Sequence, residues 1–227
     1  MISNLHISRF KSIKELSLDC RRINLFIGEP NTGKSNILET LGMLSFMYYG
    51  RFGINLREFV RFERTGNLFY DEALAQPVKI NCDGLSLSLE FKDGRFEGGC
   101  VADGKRLANW TGDHAGVITS SFAGRSILEQ FKFYRFKVIE QFGRLESDLL
   151  LPPLGLNLLS LLLANREIMS TVNLPFASRG LRLRLRPQEG KIEVEKPVED
   201  VAVIAYPYSL ASETLQRVTF YLAAILS

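Results

Sequence analysis

Residues 28–35 read Gly28-Glu29-Pro30-Asn31-Thr32-Gly33-Lys34-Ser35, a complete G-x-x-x-x-G-K-[S/T] pattern. Each residue type has a chemical task. The two glycines let the backbone curl so that successive N–H groups, including those of Glu29, Asn31 and Thr32, point inward at a polyphosphate. Lys34 brings a point charge to the β- and γ-phosphates, and Ser35 offers a hydroxyl to Mg²⁺. A helix opening at this point adds its positive end to the same anion. The implied ligands are a nucleoside triphosphate and magnesium. Nothing in the loop reads the base.

The flanking residues carry the elements that such a loop needs. Ile23, Asn24, Leu25, Phe26 and Ile27 form an apolar, β-branched run directly before it, which predicts a buried strand. After it, Ile37, Leu38, Leu41, Leu44 and Tyr48 recur at helical spacing, and Gly50 is a natural stop, so a helix is predicted over 36–49.

This stretch resembles the N-terminal lobe of the SMC/RecF group of ABC-type ATPases, and is similar to the compact AAA-family ATP-binding proteins related to the OLD nucleases. The residues that carry the resemblance are Ile7-Ser8-Arg9-Phe10-Lys11-Ser12-Ile13-Lys14, then Leu16-Ser17-Leu18, the run 23–28, and Gly33-Lys34-Ser35-Asn36-Ile37-Leu38-Glu39. The resemblance places Lys11 and Ser12 beside ATP, with Asn36 just behind the loop. Read without it, Lys11 and Ser12 are two polar residues on an edge strand. Pro30 departs from the family pattern, which has Asn there; Asn31 follows it.

A second match lies near residue 212. Ala211-Ser212-Glu213-Thr214-Leu215-Gln216-Arg217 precedes an apolar helical run over 218–226. In the family a signature motif at this place contacts the γ-phosphate held by the opposite subunit, so the resemblance gives that role to Ser212. Glu213 stands where the family has glycine, and a carboxylate facing a phosphate must turn away or be paired. The same residues also read as an ordinary helix start with a serine cap. A glutamine that bridges the lobes and touches Mg²⁺ is implied as well. Gln141 is the best-placed candidate, with Gln130 and Gln76 as alternatives and a plain surface glutamine as the bland reading.

No run of four apolar residues ends in Asp or Glu as a Walker B strand requires. The alternating residues 85–90 suit a half-exposed strand, and the strand-like 201–205 leads into Tyr206-Pro207. His6 and His114 are the only histidines, and neither sits where the family has its switch. The chain is therefore expected to be the N-terminal portion of an ATPase, with the group that activates water supplied from elsewhere. The resemblance implies a head-to-tail homodimer around ATP, or completion by a C-terminal partner segment. A nucleotide-sensing scaffold without turnover is the alternative.

At 227 residues with 46% hydrophobic content, one sizeable core or two lobes can be buried. A net charge of +3 permits DNA contact without arguing for it. Cys20, Cys82 and Cys100 are scattered, which fits a reducing cytoplasm and neither a zinc site nor a disulfide framework. The most apolar stretch, 154–163, is too short to span a bilayer, so no membrane partner is expected. The fold class expected is α/β: an ABC-type P-loop lobe with a mixed sheet and an antiparallel β-subdomain over 1–145, and a helical second lobe over 146–227.

Further elements follow from local pattern. Asp83-Gly84, Asp93-Gly94 and Asp103-Gly104 predict hairpin turns between strands over 78–105. A short helix is expected near Leu56, Phe59 and Val60, a loop over 110–125, a helix entering a strand over 127–142, and a buried helix over about 155–170 after Pro152-Pro153. Arg182, Arg184 and Arg186 alternate with leucines. Read as a basic face they could track a phosphate backbone. Folded over 187–190, they instead form a hairpin with Arg184 opposite Glu193 and Arg182 opposite Glu195, and the hairpin is preferred. No heptad repeat runs through the chain, which favours compact ATPases over proteins with a long coiled coil.

Overall fold

The computed structural model describes residues 2–122, 126–198 and 202–227. Residues 123–125 of the loop expected over 110–125, and Val201 of the strand expected over 201–205, lie outside them. The chain divides into two compact units, Met1–Phe133 and Tyr134–Ser227.

The first unit is built on a seven-stranded sheet. Its strands are β1 (Asn4–Phe10), β2 (Ile13–Asp19), β3 (Val78–Cys82), β4 (Leu85–Lys92), β5 (Arg95–Ala102), β6 (Lys105–Gly112) and β7 (Ile118–Phe122), in the order β2-β1-β3-β4-β5-β6-β7. Every described pairing in it is antiparallel. The expected mixed sheet is thus not what the described residues form; the fold is mixed α/β with antiparallel sheets. The three Asp-Gly turns join β3 to β6 in succession. At each, both residues have positive φ (44° and 84° at Asp83-Gly84), the geometry that two-residue hairpins select.

Register sets the core. Ile7 faces Ile80, Ile80 faces Leu87, Leu87 faces Cys100 and Cys100 faces Ala108, a row across five strands. None of the five is more than 1% exposed. Burial pushes the Cys100 thiol up to about 12 and the Cys82 thiol up to about 11, so both stay protonated and unreactive.

Helix α1 (Lys34–Tyr49) is buried almost all round from Thr40 to Tyr49. Beside it lie the short helices α2 (Leu56–Phe59) and α3 (Ser126–Glu129). Gly42 permits the close approach to α2, since a Cβ there would stand 2.6 Å from the Phe59 carbonyl oxygen. A tighter contact occurs in the sheet. Trp110 on β6 lies over Gly98 on β5, directly opposite in register, and a Cβ at Gly98 would stand 2.1 Å from Trp110 Nε1. Trp110 is 2% exposed and cannot swing into solvent without opening the core. Gly98→Ala is therefore expected to cost about 1–3 kcal/mol by overpacking, read as a lower urea midpoint at unchanged slope.

The second unit carries a three-stranded sheet, β8 (Arg182–Arg186), β9 (Lys191–Val198) and β10 (Ala202–Pro207), in the order β10-β9-β8. It also carries α4 (Leu158–Ala164), α5 (Arg166–Ala177) and α6 (Glu213–Leu226). Its core joins Leu158, Leu161 and Leu162 to Val172 and Phe176, to Leu183 and Val194, and to Phe220 and Ala223. The single helix expected over 155–170 is two. Asn165 adopts extended backbone, ends α4, and its Oδ1 accepts from Glu167 N and Ile168 N to cap α5. The strand expected within 127–142 forms no ladder, and a strand, β7, falls where a loop was expected.

The β8–β9 register is as expected: Arg182 opposite Glu195, Arg184 opposite Glu193, Leu183 opposite Val194 and Leu185 opposite Ile192. The charges pair partly on the diagonal. Arg182 Nε and Arg184 Nη1 both donate to Glu195 at 2.5 Å, and Arg186 Nε donates to Glu193 at 2.8 Å. Strand twist brings i and j+2 side chains within reach, so one buried carboxylate serves two guanidinium groups. The Arg184 hydrogen bond, then that of Arg182, hold the Glu195 carboxyl below its usual range against the opposing effect of burial. A lowered folded value stabilises above the unfolded pKa of about 4.3 and is lost as pH falls below it. The urea midpoint is expected to drop between about pH 5 and pH 3, and Glu195→Gln is expected to flatten part of that drop.

Candidate nucleotide-binding site

Residues 28–32 form an exposed loop that opens straight onto α1. Gly33 is the N-cap, with φ 87° and ψ 2°, a left-handed conformation that suits glycine. Asn31 is left-handed too, at φ 62°, which Asn tolerates better than most residues. No side chain caps α1, so the N–H groups of its first turn keep no side-chain acceptor. Thr32 Oγ1 donates to the Glu29 carbonyl at 2.9 Å and closes the loop on itself. Lys34 Nζ folds back over it, donating to the same Glu29 carbonyl and to Thr32 Oγ1 at 3.1 Å. Those are neutral oxygens within the cradle, where a lysine awaiting an anion would rest. Ser35 is exposed on the first turn. Left-handed cap, uncapped helix start, lysine and hydroxyl together fit a magnesium-bound polyphosphate.

The β1–β2 turn reaches this helix. Ser12 Oγ accepts from Asn36 Nδ2 at 2.8 Å, and a Cβ on Gly33 would stand 3.1 Å from Ser12 Oγ. Ser12 therefore packs directly against the loop's second glycine. Lys11, left-handed at φ 52°, anchors its backbone N–H on the Leu68 carbonyl at 3.1 Å. Its Nζ turns into the protein and donates to Glu39 Oε2 at 2.5 Å and to the Arg61 carbonyl at 2.6 Å. Arg61 Nε donates to Glu39 Oε1 at 2.6 Å. Lys11, Ser12, Gly33, Lys34, Ser35 and Asn36 are thus gathered around one helix start. From sequence Glu39 ended the resembling run without a role, and Arg61 was not singled out. The available signal was a carboxylate one turn beyond Ser35, on the same face of α1.

One expected element departs. Residues 23–27 form no ladder, and Ile23, Leu25 and Ile27 are 83%, 79% and 83% exposed. The expected buried strand is an unpaired run. A strand needs a neighbour for its N–H and C=O groups, and no described residue supplies one here. Asn24 instead clasps Arg21 locally, accepting from its N–H at 2.9 Å and donating to its carbonyl at 2.8 Å.

Ser212 and Gln141 belong to the second unit. Ser212 is the exposed N-cap of α6, and its hydroxyl makes no capping bond. Glu213 is drawn back along the helix by Arg217, with Nε at 2.7 Å and Nη2 at 2.6 Å from Oε1. Its carboxylate is paired within the helix. Gln141 is exposed on a bend; Gln130 and Gln76 of the first unit are exposed too. No helix among the described residues is long and apolar enough to cross a membrane. Compared with known proteins, the chain matches no family model and no curated sequence.

Proposed function

We propose that this chain binds Mg-ATP as the N-terminal part of a compact ABC-type P-loop ATPase. The observation that carries the reading is the loop itself: G-x-x-x-x-G-K-S opening without a break onto the uncapped start of α1, with Lys34 Nζ resting on the loop's own oxygens. A polyphosphate would take over those donors, and the first-turn N–H groups would complete its cradle. Ser35 would hold Mg²⁺, which keeps most of its shell in water and phosphate oxygens. Ser12 braces the loop from the β1–β2 turn, accepting from Asn36 on the first turn of α1.

Binding of a second copy would bring its Ser212 to the γ-phosphate, so that ATP clamps two chains head to tail. Hydrolysis would require a carboxylate on an apolar strand from outside the described residues. The unpaired, apolar run 23–27 supports that completion, because exposed apolar surface of this kind marks a contact site. A sensor that binds ATP without turnover is the second reading, favoured by the sequence, in which no run of four apolar residues ends in Asp or Glu. DNA as a partner rests on the resemblance alone.

Competition binding with a fluorescent ATP analogue tests the site. ATP and ADP should displace it and AMP should not, because the loop holds the β- and γ-phosphates. Equal displacement by AMP would remove the assignment.

A further inference from the structure

We infer that Glu39 is a positioning residue that fixes the Lys11 ammonium one helical turn beyond Ser35, an inference that rests on the nucleotide-site reading above. Glu39 lies on α1 one turn beyond Ser35, and helical side chains tilt toward the N-terminus, so its carboxylate reaches back toward the loop's turn of the helix. Its side chain is 6% exposed, and both oxygens are spent on cations, Lys11 at 2.5 Å and Arg61 at 2.6 Å. The Lys11 side chain is 14% exposed, and its backbone is held in the left-handed region by a turn whose next residue, Ser12, packs on Gly33.

Stability alone does not account for this cluster. Desolvating a carboxylate and an ammonium costs about as much as their attraction returns, and apolar residues of the same size would pack α1 against the turn at least as well. The cluster does something an apolar contact cannot. Two cations on one carboxylate leave a net positive charge at a fixed place one helical turn from Ser35. Without Glu39, Lys11 has four rotatable bonds and only the neutral Arg61 carbonyl, at 2.6 Å, to hold its ammonium.

Calorimetric Mg-ATP titrations of wild type, Glu39→Gln, Lys11→Met and the double variant test this, with thermal midpoints measured alongside. Glu39→Gln should weaken ATP binding about tenfold, the scale of one charge-assisted hydrogen bond. Lys11→Met should do the same, and the double variant should be no weaker than Lys11→Met alone, because Glu39 acts through Lys11. A structural role would lower the thermal midpoint and leave the affinity of the folded protein unchanged, and that result overturns the inference. If Glu39→Gln does not fold, Lys11→Met/Glu39→Met leaves no unpaired carboxylate; wild-type affinity in it would equally overturn the inference. Lys34→Ala separates the two levels. If it loses binding while Glu39→Gln matches wild type, only the role of Glu39 falls. If Lys34→Ala binds like wild type, the loop assignment falls and this inference with it.

Discussion

Lys34→Ala should lower Mg-ATP affinity by at least about a hundredfold, because it removes one charge and two charge-assisted hydrogen bonds of about 1.5–3 kcal/mol each. The fold should survive the change. Among the described residues Lys34 Nζ donates to the Glu29 carbonyl and Thr32 Oγ1, both in the exposed loop. Thr32 keeps the loop closed through its own bond to Glu29. The thermal midpoint of the free protein should therefore stay within the range of ordinary surface substitutions, about ±0.5 kcal/mol. A variant that unfolds would show that Lys34 supports the loop; one that binds ATP undiminished would show that the loop is not a phosphate site.

Ser212→Arg should abolish ATP-dependent dimerisation and leave ATP binding by the single chain intact. Ser212 is exposed, its hydroxyl caps nothing, and Glu213 beside it is already satisfied by Arg217. A large side chain there costs the monomer little. In the clamped dimer the same position would meet the partner's γ-phosphate, where a serine fits and an arginine displaces the helix start. Gel filtration with and without ATP reads the result. Wild type should shift to the size of two chains with ATP, and the variant should not. A variant that dimerises like wild type, or a wild type that never responds to ATP, removes Ser212 from the site.

What was legible in the sequence was mostly local. Asp-Gly pairs fixed three hairpins because both residues must accept positive φ, and few others do so cheaply. The turn at 187–190 set the β8–β9 register with one such residue, Gly190 at φ 65°. The pairing of Arg182 with Glu195 was legible, but pattern did not reveal the diagonal pairs, Arg184 on Glu195 and Arg186 on Glu193, which strand twist decides. The break at Asn165 was hidden inside an apolar run whose spacing continues through it, and the side-chain cap won over the helix. β7 carries Thr119, Ser120 and Ser121 in place of an alternating apolar pattern, so only its pairing with β6 identifies it.

The loop's place at the start of α1 was legible because eight consecutive residues, with glycine at Gly28 and Gly33, lead into helical spacing. Lys11 and Ser12 came from resemblance, and the structure brings both to α1. The Lys11–Glu39–Arg61 cluster joins residues 22 and 28 positions apart, a separation no spacing rule reaches. The run 23–27 has the composition of a strand, yet composition names no partner, and none is found for it among the described residues.

The most direct test is calorimetry of ATP into the wild-type chain, once with Mg²⁺ and once with chelator. One site should be seen per chain, with an affinity that falls when magnesium is removed, since Ser35 reaches the phosphates through the metal. No heat of binding under either condition, at protein concentrations of about 100 μM where a millimolar site would already register, would contradict a nucleotide site at residues 28–35.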